Sequence, residues 1–521
     1  MLDRLRRISV ASIARIGAVV ALIGPLTYLL LRQFAYLGDR SIPCCDYAVL
    51  ELGSRAFLRG EQFSGLYSRQ GWRHPGPAAF LWEAPFRLLP GTSFAEHRIA
   101  IVTLAILTIA IALWFFHDRL PTRVLLGAAV VLGFWMTRFD VRFFLEPWNP
   151  EMAMFWILAF VPCAAMFSAK GSPRWAIAAV ATGSMAVQCH LSAAPIVIIG
   201  IGIVLWRIWQ RREEPTIRRG AVIAGIIALV LWLLPIIDLA VGERNLWHIL
   251  TVDESTANGS FAWGTMARNL VQIIGLGPSQ QGFRFGAASP FLGDAPLDLW
   301  QIAIAVVSVA LAARLLIRRR HHPRLAAAMM ISTTGLVATA ALLAVSGGEY
   351  FPYVLMPVIT VGPIILASGI AALLLDLPCD RPTWLRPMII AMESVAIIAI
   401  SCILISQVPT TSNDDDYSTP SLRQITTQIG ENCASLPDPA AIHIADTIPW
   451  TDSITIIAAI ERCTTVRVEG HLGFVAGEPF QLPAGEASNV VVFTTGTGAL
   501  NGRVVASNET ITVMTGPFSV R

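Results

Sequence analysis

The chain is predicted to be mainly α-helical, a polytopic transmembrane bundle of about 11 spans followed by a small exported α/β domain. Three observations carry that prediction. Of 521 residues, 55% are hydrophobic and only 14% charged, with a mean hydropathy of +0.61; a soluble domain of that composition would expose large apolar patches. Apolar runs of roughly 17–25 residues, the length at which a helix crosses about 30 Å of hydrocarbon, recur through residues 1–407. Beyond that point the pattern changes to short β-type runs, so residues 408–521 form a separate domain.

Eleven runs meet the length criterion: 13–33, 98–116, 122–138, 151–168, 174–190, 192–209, 220–240, 298–317, 325–346, 351–375 and 387–407. The first is full length and lacks a clear small-residue cleavage site, so it reads as a retained helix. Lys and Arg gather in MLDRLRR, HDRLPTR, AKGSPR, RIWQRREEPTIRR, RLLIRRRHHPR and CDRPTWLRP. These segments alternate with loops poorer in cations for their length, so the positive-inside rule places the N-terminus and all the basic connectors in the cytoplasm. An odd number of spans then leaves the tail outside. The net charge of +3 is a topology signal spread over short clusters; there is no basic domain for nucleic acid.

The outer loop 34–97 breaks the charge rule. Its central stretch, PCCDYAVLELGSRAFLRGEQFSGLYSRQGWRHPGP (43–77), carries Asp46, Glu51, Arg55, Arg59, Arg69, Arg73 and His74 among the aromatics Tyr67 and Trp72. Cations placed against the rule have another task, such as binding an anion. From Asp46 the residues Tyr47, Leu50, Ser54 and Phe57/Leu58 recur at helical spacing, the mark of an amphipathic interfacial helix, and Gly60 stops it. A turn-rich stretch follows. PAAFLWEAPFRLL (77–89) is apolar but too short to span and predicts a second interfacial or re-entrant helix.

Four further segments are placed on the same side: RFDVRFFLEPWNP (138–150), QCHLS (188–192), the loop 241–297 and GGEYFPY (347–353). They bring Asp140, Glu146, Trp148, Asn149, Gln188, His190, Glu349 and Tyr350 to the mouth that also receives Asp46 and Asp238. Because a charge at the bilayer centre costs a few kcal/mol or more, such groups usually line a water-filled cavity.

In the tail, AAIHIAD (440–446), TVRVEG (465–470), NVVVFTT (489–495) and TITVMTG (510–516) read as strands. They alternate with helical patterns at SLRQITTQIGENCASL and TDSITIIAAIERCT, which predicts a small α/β layer with a largely parallel sheet. Cys433 and Cys463 are either a disulfide or two thiols, since spacing does not decide. No Cys/His spacing marks a zinc site.

The order of these features resembles the GT-C superfamily of membrane glycosyltransferases. More narrowly, CDYAVLELGSRAFLRG, GLYSRQGWRHPGPAAFLWEAPFRLL, EPWNPEMAMFWILAF, QCHLSAA and WTDSITIIAAIERCTTVRVEG are similar to a bacterial, largely actinobacterial group described as glycosyltransferases, with motifs YSRxGWxHPGP and PWNP. The resemblance implies a multi-pass protein of the bacterial cell (plasma) membrane, N-terminus cytoplasmic and C-terminal domain extracytoplasmic. It implies transfer of a sugar, with inversion, from a polyprenyl-phosphate donor to a cell-envelope lipid or polysaccharide acceptor on the outer face. Such chemistry needs a carboxylate to take the acceptor proton, and the GT-C pattern puts it where Asp46 stands. The leaving lipid phosphate needs cationic donors, for which Arg69, Arg73 and His74 are the candidates.

Each residue also has a plainer role. Asp46 is either the base or the N-cap of its helix. Glu51 and Arg55 suit an i,i+4 pair. Arg69, Arg73 and His74 bind either donor phosphate or membrane-lipid headgroups. Glu146 is a solvated loop acid or a second site carboxylate. Trp148 is a belt residue or a substrate contact; Asn149 is a helix cap or a sugar-hydroxyl ligand; Gln188 and His190 end a span or touch substrate. Glu349 and Tyr350 bind donor or acceptor. No metal site is assigned and no cofactor is certain; a metal requirement stays open, since Asp46 with Glu146 or Asp140 could hold a divalent cation through oxygen ligands. Two other functions stay open, a transporter or flippase of a lipid-linked saccharide and a glycan-binding membrane scaffold. Clean spans, no visible repeat and one-sided polarity suit an enzyme better than a transporter.

Overall fold

The computed structural model describes residues 10–37, 43–89, 94–139, 141–251, 262–277, 296–345, 351–377, 385–407, 419–483, 486–495 and 502–516. Asp140, Glu349 and Tyr350 lie outside the described residues. In chain order the helices are α1 (Val10–Phe34), α2 (Cys45–Leu58), α3 (Ala78–Glu83), α4 (Ala95–His117), α5 (Thr122–Thr137), α6 (Asn149–Lys170), α7 (Pro173–Cys189), α8 (Ala194–Gln210) and α9 (Pro215–Val241). They continue as α10 (Asn245–Thr251), α11 (Trp263–Ile274), α12 (Leu299–Ile317), α13 (Pro323–Val345), α14 (Val361–Asp376), α15 (Leu385–Ser406), α16 (Pro420–Glu431), α17 (Trp450–Glu461) and α18 (Gly470–Ala476). The strands are β1 (Ala440–Ile444), β2 (Val466–Val468), β3 (Val490–Thr494), β4 (Arg503–Ser507) and β5 (Ile511–Thr515).

The chain divides into two compact units. One comprises Met1–Arg32, Ile101–Leu233 and Val252–Val408; the other comprises Gln33–Ala100, Leu234–Thr251 and Pro409–Arg521. The sequence reading groups residues 34–97 with the bundle (1–407), whereas the compact units group them with the tail.

In the first unit, α6 is buried from Asn149 to Phe167 because it is apolar on every side, the pattern of a helix surrounded by others. Its neighbours are α7, α8 and α13, while α5 packs on α14 and α15. Helices α9, α12 and α15 instead expose large apolar side chains, among them Leu229, Val230, Val306, Val395 and Ile398, a surface that only lipid satisfies over such an area. Among the described residues nine helices are long and apolar enough to cross a membrane, and the protein is a multi-pass membrane protein. The other two runs read as spans, 122–138 and 174–190, are α5 and α7, of 16 and 17 residues. At 1.5 Å per residue they reach about 24–26 Å, short of about 30 Å of hydrocarbon.

The second unit contains α2, which packs on α3, α17 and α18, and a five-stranded sheet of order β2-β1-β3-β5-β4. Helix α2 stops where Gly60 takes φ +76. Gly53 sits mid-helix because a Cβ there would come within 2.4 Å of the Phe80 ring; its absence lets α3 press against α2. The second interfacial helix is shorter than expected: α3 has six residues, and a 3₁₀ turn follows at Phe86–Leu88 because Pro85 cannot donate a backbone hydrogen bond.

The sheet is mixed. β1 pairs in parallel with β2 and β3, but β3–β5 and β5–β4 are antiparallel. The strand not anticipated, β4, closes a hairpin with β5 in which Asn508 Oδ1 accepts from the backbone N–H of Thr510 and Ile511 at 2.8 Å, a local turn device. Cys433 and Cys463 form a disulfide, with Cα atoms 5.1 Å apart, between the turn after α16 and the end of α17.

Candidate active site

The stretch GLYSRQGWRHP folds as a small hairpin. Gly65 N–H donates to His74 O, His74 N–H to Leu66 O and Ser68 N–H to Trp72 O at 2.7–2.9 Å. An antiparallel bridge joins Tyr67 to Arg73. The tip turns at Ser68–Gly71, where Gly71 holds φ +80, a left-handed conformation that glycine adopts without a Cβ clash. This geometry displays Arg69, which is exposed, and directs Tyr67 back toward α2. Tyr67 Oη donates to Asp46 Oδ1 at 2.7 Å.

Asp46 is half-buried in the first turn of α2. It is not the N-cap, since Cys44 holds that position without a side-chain cap bond. The plainer role that remains is an acid favoured by the helix dipole. The residue before it, Cys45, carries φ +62, an arrangement that costs an L-residue on the order of 1–3 kcal/mol and tends to mark constrained sites.

Tyr67, Ser68 and Arg69 line one wall of a cavity of about 600 Å³, whose other walls include Trp450, His471 and Phe474. Arg73 and His74 are turned elsewhere. The Arg73 side chain is only 1% exposed; its Nε donates to Glu243 Oε2 at 3.3 Å and its Nη2 to Phe474 O. Its guanidinium also lies 4.7 Å from the Phe474 ring centre. Burial pulls this guanidinium below its ordinary value while Glu243 opposes that pull. His74 is buried, edge-on to Trp72 at 5.4 Å. Of the three cations read from sequence, Arg69 is the one that reaches the cavity.

The first unit gathers a second set. Glu146 is a close neighbour of Glu151, which is fully buried in the first turn of α6. The Trp148 ring lies 5.5 Å from that of Tyr353, which is itself 6.4 Å from His190. His190 Nδ1 meets Ser192 Oγ at 2.8 Å. Asn149 is the first residue of α6 rather than its cap, and its Nδ2 donates to Cys189 O at 3.1 Å, closing the end of α7. Gln188 Nε2 donates to Leu231 O at 2.9 Å. Among the described residues no group of three or more His, Cys, Asp or Glu gathers to hold a metal ion.

No protein-family model matches the chain and no curated protein matches it. Solved structures do. The apo crystal structure of ArnT from Cupriavidus metallidurans aligns over 96% of this chain and 99% of its own, at TM-score 0.57 and 13% identity. The form bound to undecaprenyl phosphate aligns over 96% and 100%, at 0.56 and 12%. An apo oligosaccharyltransferase from Archaeoglobus fulgidus aligns over 94% of this chain and 69% of its own, at 0.45 and 12%. The fold is GT-C-like.

Beneath α2 lies a charged cluster that sequence reasoning saw only in part. Glu51 and Arg55 do pair at 2.7 Å, but Glu51 also takes Arg87 at 3.1 Å, Arg462 at 3.6 Å and His97 Nε2 at 2.7 Å. His97 Nδ1 faces Glu83 at 2.8 Å, Ser54 donates to Glu83 at 2.8 Å, and Arg87 reaches Glu96 at 2.6 Å. Burial works against the Glu51 charge, yet Arg87, the His97 hydrogen bond, Arg462 and Arg55 outweigh it and hold the carboxyl well below its ordinary 4.5. Glu83 lies inside the apolar 77–89 stretch, and His97 directly before the run read as a span. A polar residue embedded in an apolar stretch was the available signal.

Proposed function

We propose that the chain is a membrane glycosyltransferase that moves a sugar from a polyprenyl-phosphate donor to a cell-envelope lipid or polysaccharide acceptor on the outer face. The observation that carries the reading is Asp46, in the first turn of the helix after the first span, held by Tyr67 beside an open cavity, within a GT-C-like fold. The undecaprenyl phosphate bound by the compared ArnT supports a lipid-phosphate donor.

In this reading an acceptor hydroxyl oxygen attacks the anomeric carbon from the face opposite the phosphate. The glycosidic C–O bond to the phosphate breaks, the lipid phosphate leaves with the electron pair, and Asp46 takes the hydroxyl proton, inverting the centre. Arg69 is the cation positioned to meet the phosphate, its charge complementing the one that grows there. Arg73 and His74 hold the hairpin that presents it.

Membranes containing wild type or Asp46→Asn, supplied with radiolabelled polyprenyl-phosphate sugars, test the proposal. Transfer by wild type should fall about 10²–10⁴-fold in the variant at equal expression. Equal transfer by both removes Asp46 from the chemistry, and absence of transfer from every donor overturns the enzyme reading.

A further inference from the structure

The donor-side reading leaves most of the cavity unused. Its volume of about 600 Å³ falls within the ~300–1,000 Å³ typical of small-molecule sites. The walls combine ring faces with polar groups. Trp450 opens α17 and stays 41% exposed at the cavity. His471 stacks on Phe474 at 6.2 Å with an interplanar angle of 28°, and Arg73 holds Phe474 through its ring and its carbonyl. Ser68 adds a hydroxyl to the hairpin wall, and Tyr67 in that wall also bonds to Asp46.

A sugar ring matches this lining. Its C–H face is apolar and flat enough to lie on an indole, while its hydroxyl rim needs the hydrogen-bonding groups that Ser68 and His471 offer. A prenyl chain matches it poorly, since it has no group to hydrogen-bond with Ser68 or His471 in that wall.

We propose that the cavity is the acceptor-saccharide site, with Trp450 as the stacking platform and Ser68 and His471 as hydroxyl ligands. The word acceptor rests on the glycosyltransferase reading; saccharide binding does not. Acceptor and donor then meet at the hairpin tip, where Tyr67 links the saccharide wall to the base and Arg69 faces the phosphate.

The test is equilibrium binding of maltotriose, chitobiose, mannobiose and arabinobiose to the full chain in detergent, by titration calorimetry, for wild type, Trp450→Ala, Trp450→Phe and Asp46→Asn. Wild type should bind at least one probe, Trp450→Ala should weaken it about tenfold or more, and Trp450→Phe, which keeps a ring, should retain most of it. Asp46→Asn should bind as wild type does. Undiminished binding by a folded Trp450→Ala, or failure of wild type to bind any probe, overturns the site. If Trp450-dependent binding persists while Asp46→Asn still transfers sugar, the saccharide site stands and the base assignment falls. Loss of transfer in Asp46→Asn with Trp450-independent binding gives the converse.

Discussion

At Tyr67 the hydrogen bond to Asp46 is made by a neutral phenol to a group that the proposed chemistry needs as an anion. Bonds to charged groups are worth about 1.5–3 kcal/mol, so Tyr67 is read as a positioning residue that aims the carboxylate. Tyr67→Phe removes one oxygen and little volume. On this reading kcat falls about tenfold, equivalent to ~1.4 kcal/mol, while KM for the donor is unchanged. A rise in kcat would mean that the hydroxyl restrains the base rather than aims it. The carboxylate was legible in the sequence because an acid in an early polar stretch between apolar runs stands out against its surroundings. Its partner was not: Tyr67 is 21 positions away, past the stop of α2 at Gly60. Arg73 shows the same limit more strongly, since its contact with the Phe474 carbonyl spans 401 positions and no local pattern announces it.

Among the elements, α2 has a stability with a readable pH signature. Its Glu51 is fully buried and serves Arg55, Arg87, His97 and Arg462 together. Replacing it by Gln strands several buried donors, and breaking such a pair typically costs about 3–5 kcal/mol. The sign follows from the depressed carboxyl: its contribution is complete above the unfolded value of 4.5 and is lost as pH falls through the lower folded value. Glu51→Gln should therefore melt lower than wild type by a gap that grows from pH 8 toward about 5, as the His97 proton that Glu51 helps to hold is taken up in wild type, and that narrows only below about 4.5. Thermal unfolding of the purified protein across that range measures it; a gap that already closes by pH 6 contradicts the depressed carboxyl. Periodicity gave α2, its stop at Gly60 and four of the strands. It did not give β4, which lies between two runs of turn residues, nor the depth at which α2 is buried. An interfacial helix and a buried one share the same apolar spacing, and only the partners Glu83, His97 and Arg462 tell them apart.

For the whole molecule, α5 and α7 decide the topology. If both cross, eleven spans leave the termini on opposite sides; if neither does, nine spans do so as well, and a terminal reporter cannot separate the two. What differs is the stretch between the two helices. If the N-terminus is cytoplasmic, eleven crossings put the turn after α6 at Gly171 and Ser172, beside Lys170 and Arg174, in the cytoplasm. With nine it lies outside, putting a basic cluster against the positive-inside rule. The shortfall of a few ångströms in α5 is within what bilayer thinning and snorkelling flanks absorb, at fractions of a kcal/mol per ångström, and Arg123 and Arg138 stand near its two ends. The charge rule thus outweighs the length deficit, and both short helices should cross. Ser172→Cys, in a background whose other reactive thiols are replaced, should resist a membrane-impermeant maleimide in intact cells and react after permeabilisation. Labelling of intact cells would leave α5 and α7 embedded without crossing, and would put the Glu146–Glu151 carboxylates on the side opposite Asp46, removing them from any shared site.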